Sequence, residues 1–143
     1  MRGFLFTMAV LIGTTNVTFA QDSAKALQGT WKVVRAERNG QAFPPEIVQG
    51  MTVTVQEGKM IVKDSRRTET AAIEIDTAQT PHTITMRPAD KEASKDPPAE
   101  GIFAVEGSTL RLCWAKKGKP RPTEFLTRPN SDTVYLLLEH ETK

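Results

Sequence analysis

Leu27-Gln28-Gly29-Thr30-Trp31-Lys32-Val33-Val34 decides the fold. Gly29 lets the chain turn. An indole follows two residues later, where Trp31 and Val33 begin to alternate with Lys32 and Val34. A small turn residue followed by Trp at the head of a first strand closes the bottom of many small antiparallel barrels. A buried indole N–H there needs a hydrogen-bond acceptor, which a backbone carbonyl can supply.

Outward from this stretch the hydrophobic rhythm stays at two and not 3.6. The first strand ends near Asn39-Gly40, and Pro44-Pro45 opens a single helical turn over residues 46–49 that Gly50 stops. Met51, Val53 and Val55 share one face, with Thr52, Thr54 and Gln56 opposite. Glu57-Gly58 makes a tight hairpin into residues 59–64, and Ser65-Arg66 turns the chain again. Ala71, Ile73 and Ile75 face one way, and Ile84 and Met86 follow in a strand between Pro81 and Pro88. Residues 88–100 are polar and Pro-rich and read as a long exposed loop. Residues 102–106 and 109–115, joined by Gly107-Ser108, form the clearest hairpin, with Leu110, Leu112 and Trp114 on one face. Residues 116–122 are a basic turn, and strands over 123–127 and 133–139 finish the sheet.

The sequence therefore predicts an all-β domain: a small antiparallel barrel of about eight to nine short strands, without a long helix, an internal repeat or a second domain. Closure removes the unpaired edges that so many short strands would expose. A two-sheet sandwich is the alternative, but the mostly sequential hairpins favour the barrel.

Residues 1–20 read as a signal peptide. Arg2 supplies positive charge, residues 4–12 an apolar stretch short for a membrane span, and Thr18-Phe19-Ala20 the small residues before a cleavage site. Residues 21–143 then form the mature domain, expected to be exported to the periplasm or the extracellular space and to be monomeric. The chain carries 19 Lys and Arg against 17 Asp and Glu, and the leader takes one cation with it. So small an excess does not suit a general nucleic-acid binder. Cys113 is the single cysteine, so no intrachain disulfide forms. His82 and His140 are the two histidines, too few for a zinc site of the usual ligand set. No metal and no cofactor are expected, and no stable transmembrane segment after processing.

Leu27-Gln28-Gly29-Thr30-Trp31 resembles the first strand of lipocalins and lipocalin-like proteins. A wider ordered set resembles a small exported lipocalin-like domain family of undefined role, abundant in planctomycete bacteria. That set comprises residues 27–34, Asn39-Gly40, Gly101-Ile102-Phe103, residues 107–113, and Arg121-Pro122-Thr123-Glu124-Phe125. The resemblance implies a lipocalin-like β-barrel in the bacterial envelope or outside the cell, and no particular activity. In lipocalins an Arg near the last strand packs over the Trp. The last strand here, residues 133–139, has none. Arg111, Arg121 and Arg128 are substitutes, of which Arg121 is favoured, so the expected floor is Gly29, Trp31 and Arg121.

The candidate cavity wall is Met51, Val53, Val55, Ile73, Ile75, Ile84, Met86 and Trp114. For each of these, as for Trp31, ordinary core packing is the competing reading. Cys113 lacks an evident base in sequence, although folding can bring His82 near; Glu74 and Glu124 form a carboxylate pair only if the fold joins them. Lys116-Lys117-Gly118-Lys119-Pro120-Arg121 gathers four cations in six residues but no aromatic residue, which suits an anionic envelope surface better than nucleic acid. No phosphate-cradling loop, nucleophile elbow or metal-binding His pair is present, so the chain is expected not to be an enzyme. The leading expectation is an exported barrel that binds a small apolar or amphipathic molecule in a shallow cup. A ligand-free envelope interaction module, using its outer face or the turn at 116–121, is the alternative. A hydrolase or isomerase at the barrel mouth comes third.

Overall fold

The computed structural model describes residues 24–89 and 95–141. The leader-like residues 1–20 and the centre of the loop at 88–100 lie outside the described residues.

Nine strands follow one another: β1 (Gly29–Arg38), β2 (Gln41–Ala42), β3 (Thr52–Gln56), β4 (Lys59–Lys63), β5 (Thr68–Asp76), β6 (His82–Pro88), β7 (Ala99–Glu106), β8 (Thr109–Ala115) and β9 (Thr133–His140). One helical turn, α1 (Pro45–Val48), stands between β2 and β3. From β3 to β9 each strand pairs antiparallel with the next, and β9 pairs back onto β1, which also pairs with β3. The result is a closed eight-stranded antiparallel barrel with β2 as one extra strand outside it. Among the described residues closure leaves no long unpaired edge.

Period two produces the core. Along β3, β8 and β9 the residues at Val53, Val55, Leu110, Leu112, Leu136 and Leu138 point inward and are essentially inaccessible to solvent. They join Val33, Met60, Ile84 and Phe103 in one apolar cluster. Leu112, Phe103 and Leu136 sit opposite one another across paired strands, so the core is built from cross-strand neighbours.

Two parts of the sequence reading need correction. Residues 123–127 are not a strand. Strand β8 already pairs on both sides, with β7 and with β9, so the sheet offers that segment no edge. Pro120 and Pro122 just before it and Pro129 just after it leave little length for a paired strand. The segment runs instead along the outside of the wall. The ninth strand is β2, made where Asn39 and Gly40 take positive φ of 50° and 80° and fold the chain back onto Glu37 and Arg38. The helical turn begins one residue earlier than expected, with Pro45 in its first turn.

Candidate functional site

The register sorts the loops to two ends. One end collects the start of β1, the turns at Glu57-Gly58 and Gly107-Ser108, the loop between β5 and β6, and the end of β9. Trp31 is fully buried there, and its Nε1–H donates to the Leu27 carbonyl at 2.9 Å. Leu27 is fully buried as well, so the segment leading into β1 closes this end. The ring packed on the indole is His140, edge-on at 4.9 Å between centroids. Gly29 allows that arrangement. Its φ is +119°, and a Cβ there would stand 2.7 Å from His140 Nε2.

Arg121 takes no part in this floor. Its guanidinium donates to the carbonyls of Ile84 (2.9 Å) and Gly101 (2.6 Å) and to Thr85 Oγ1 (3.2 Å), and lies 3.5 Å from Glu100. A flat donor fork suits two neighbouring carbonyls, and here it ties the long β8–β9 connection to strands β6 and β7. His140, at the end of β9, fills the place expected for an arginine.

The expected cavity wall is brought together and points inward. Val53, Val55 and Ile84 are fully buried and Met51 and Met86 nearly so, while Ile73, Ile75 and Trp114 are partly buried against the same cluster. Trp114 lies opposite Gly101, where a Cβ would come within 2.8 Å of the Trp114 Cβ and 2.6 Å of the Cys113 carbonyl oxygen. These side chains pack on one another as a core.

Space opens at the other end, beneath α1. A cleft of about 350 Å³ lies between β1 and the β2–α1 connection, lined by Lys32, Val33, Val34, Arg35, Ala36, Ala42, Phe43, Pro45, Val48 and Gln49. Its volume is at the small end of ligand pockets, roughly 300–1,000 Å³. Val33, Ala36 and Val48 belong to the core cluster, so the cleft floor is continuous with the barrel interior. The geometry has a local cause. Strand β1 pairs with β3 only through Lys32 and with β2 only from Glu37. Between these it carries a bulge, with Val33 opposite Leu138 and Arg35 opposite Leu137. Hydrogen bonds from Val33 N to the Met51 carbonyl (3.1 Å) and from Phe43 N to the Ala36 carbonyl (2.9 Å) pin the two rims. Pro44-Pro45 and the helical turn are legible in the sequence, but this cleft is not. The hairpin signal Asn39-Gly40 close before a proline pair was the clue that the chain doubles back over the first strand.

A second concavity of about 330 Å³ is lined by Pro97, Pro98, Glu100, Gly118, Lys119 and Pro120. It adjoins the basic turn, two of whose cations are engaged: Lys117 lies 3.8 Å from Asp96, and Arg121 is bound as described. Cys113 is fully buried on the outer side of β8, with its Sγ 3.7 Å from the Leu126 carbonyl. Burial pushes its thiol up to about 11. His82 packs its ring near Phe103, a core residue of the interior, so the barrel wall separates it from Cys113. Glu124 pairs with Arg128 at 3.2 Å and Glu74 is exposed on β5, so the fold does not make them a pair. Among the described residues no group of three or more His, Cys, Asp or Glu side chains could hold a metal ion, and no helix is long and apolar enough to cross a membrane.

No family model matches the sequence, and no curated protein matches it. Among solved structures the chain is similar to the crystal structure of a DUF4847 family protein from Bacteroides vulgatus ATCC 8482, with 14% identity over 82% of this chain and 95% of that chain and a TM-score of 0.44. What stands from the fold itself is a small closed β-barrel, a shape compatible with ligand-binding barrels in general.

Proposed function

We propose that this protein is an exported, lipocalin-like barrel that binds a small apolar or amphipathic molecule, and that the binding place is the cleft beneath α1. The apolar floor of that cleft carries the reading: Val33, Ala36, Phe43 and Val48 line a space of about 350 Å³, and they belong to the core cluster or pack against it. A ligand seated there gains about 25 cal/mol for each Å² of apolar surface removed from water, before the costs of ordering. The lid is weakly held. Both residues of β2 are exposed, and α1 is one helical turn with no side-chain cap and a single buried residue, Val48. Elements with so few buried contacts open at the lowest free energy. Export rests on the leader-like residues 1–20, and the lipocalin-like assignment on the ordered segments from Leu27 to Phe125.

Calorimetric titration with 1-decanol tests the site. The wild-type protein binds saturably at one site. Ala42→Trp, which adds bulk at an exposed rim residue, removes the binding while the circular dichroism spectrum stays unchanged. Equal binding by both proteins places the ligand elsewhere, and no binding by the wild type ends this reading.

A further inference from the structure

We infer that the ligand of this cleft is a single-chain amphiphile with a carboxylate head, held tail-inward under α1 and head-outward between Lys32 and Arg35. The inference rests on the binding reading above and adds the charge of the ligand to it.

The bulge in β1 carries the argument. Residues three apart on a regular strand point to opposite faces. Lys32 and Arg35 are three apart, yet both are exposed, because the extra residue Val34 resets the alternation between Val33 and Arg35. The bulge therefore brings two cations to one rim of the cleft while Val33 and Ala36, beside them in sequence, stay buried and form its floor. Val34 itself is turned out to 41% exposure, an apolar residue between the two charges. Bulges commonly re-aim side chains next to binding sites.

The charges are not used up within the wall. Among the described residues Lys32 forms no ion pair, although Glu139 is its neighbour across β9. Arg35 bonds to Glu37 through Nε and one terminal nitrogen, both to the same carboxylate oxygen, and its side chain remains 62% exposed. An apolar floor with a cationic rim complements an anionic head on an alkyl tail. One short cleft of this volume suits one chain and a compact head.

The test titrates decanoate, 1-decanol and decyltrimethylammonium, each below its aggregation concentration, into the wild-type protein and the Lys32→Gln/Arg35→Gln double variant. Both substitutions are on exposed side chains and leave the fold intact. Decanoate binds the wild type about five- to tenfold more tightly than it binds the double variant, and salt reduces the difference. Decanol binds both proteins equally, and the cationic amphiphile binds the double variant better. If decanoate affinity is the same in both proteins while decanol binds, the carboxylate inference is overturned and the cleft survives. If no amphiphile binds the wild type, the cleft reading fails and this inference falls with it.

Discussion

The two ends of the barrel solve the same problem in opposite ways. At the Trp31 end a large ring plugs the opening, donates its one polar hydrogen to Leu27, and is held by His140, with Leu27 itself buried alongside. At the other end a two-residue strand and a single helical turn cover the opening through Phe43 and Val48. One end is closed by a satisfied, fully buried aromatic side chain. The other is covered by backbone with few buried contacts, and the cleft lies beneath it. A small barrel filled by its own side chains still needs somewhere to yield if it is to take a ligand, and the thin cover is where this one can yield.

The contrast gives graded expectations. Trp31→Ala removes the plug and leaves a cavity, and denaturant unfolding should show a loss of about 3–5 kcal/mol. A loss below 1 kcal/mol would mean that the floor does not hold the barrel together. Gly29→Ala acts on the same end through the backbone. Its positive φ and the approach to His140 should lower stability by about 2 kcal/mol, and the His140 ring signals in NMR spectra should move.

Cys113 samples the wall between the ends. A thiol whose value is raised from 9.0 to about 11 in the folded protein favours its neutral form, so the folded state keeps its proton longer than the unfolded chain. The associated stability is complete below pH 9 and is lost as pH rises to about 11, on the order of 2 kcal/mol in all. Cys113→Ala should flatten that part of the pH profile, and an unchanged slope would show that the thiol is not so placed. The smallest effect is expected at the cover. Val48→Ala should cost about 1–2 kcal/mol for the lost methyl groups. In hydrogen exchange it should speed opening of residues 41–49 while the amides of β8 and β9 keep their protection. Global acceleration would mean that the cover and the barrel open as one unit.

The ends also differ in how far the sequence revealed them. The floor was legible because its signals are local: Gly29 and Trp31 lie two residues apart, and the indole needs an acceptor wherever it is buried. Period two likewise placed the inward faces of β3 and β8, since alternation depends on the strand alone. The partner of Trp31 was not legible. His140 reaches it only because β9 closes onto β1, a pairing over a hundred residues long in sequence. The resemblance to lipocalins places a cation over the indole and so points to Arg121. In the folded chain it lies over β6 and β7, where two carbonyls face it. Residues 123–127 alternate like a strand, but the flanking prolines and the saturated edges of β8 keep them out of the sheet. The cleft is not legible in the sequence because it depends on a bulge between Val33 and Arg35, and a single inserted residue leaves hardly any trace in a pattern as short as β1.

Methyl chemical-shift mapping during a 1-decanol titration tests most directly whether the covered end receives the ligand. The methyl groups of Val33, Ala36 and Val48 should shift together and saturate at one equivalent, while those of Leu27 and Val55 near the Trp31 end stay in place. Shifts centred on Leu27 and Val55, with Val48 unmoved, would show that the ligand enters through the floor and would contradict the division of labour between the two ends.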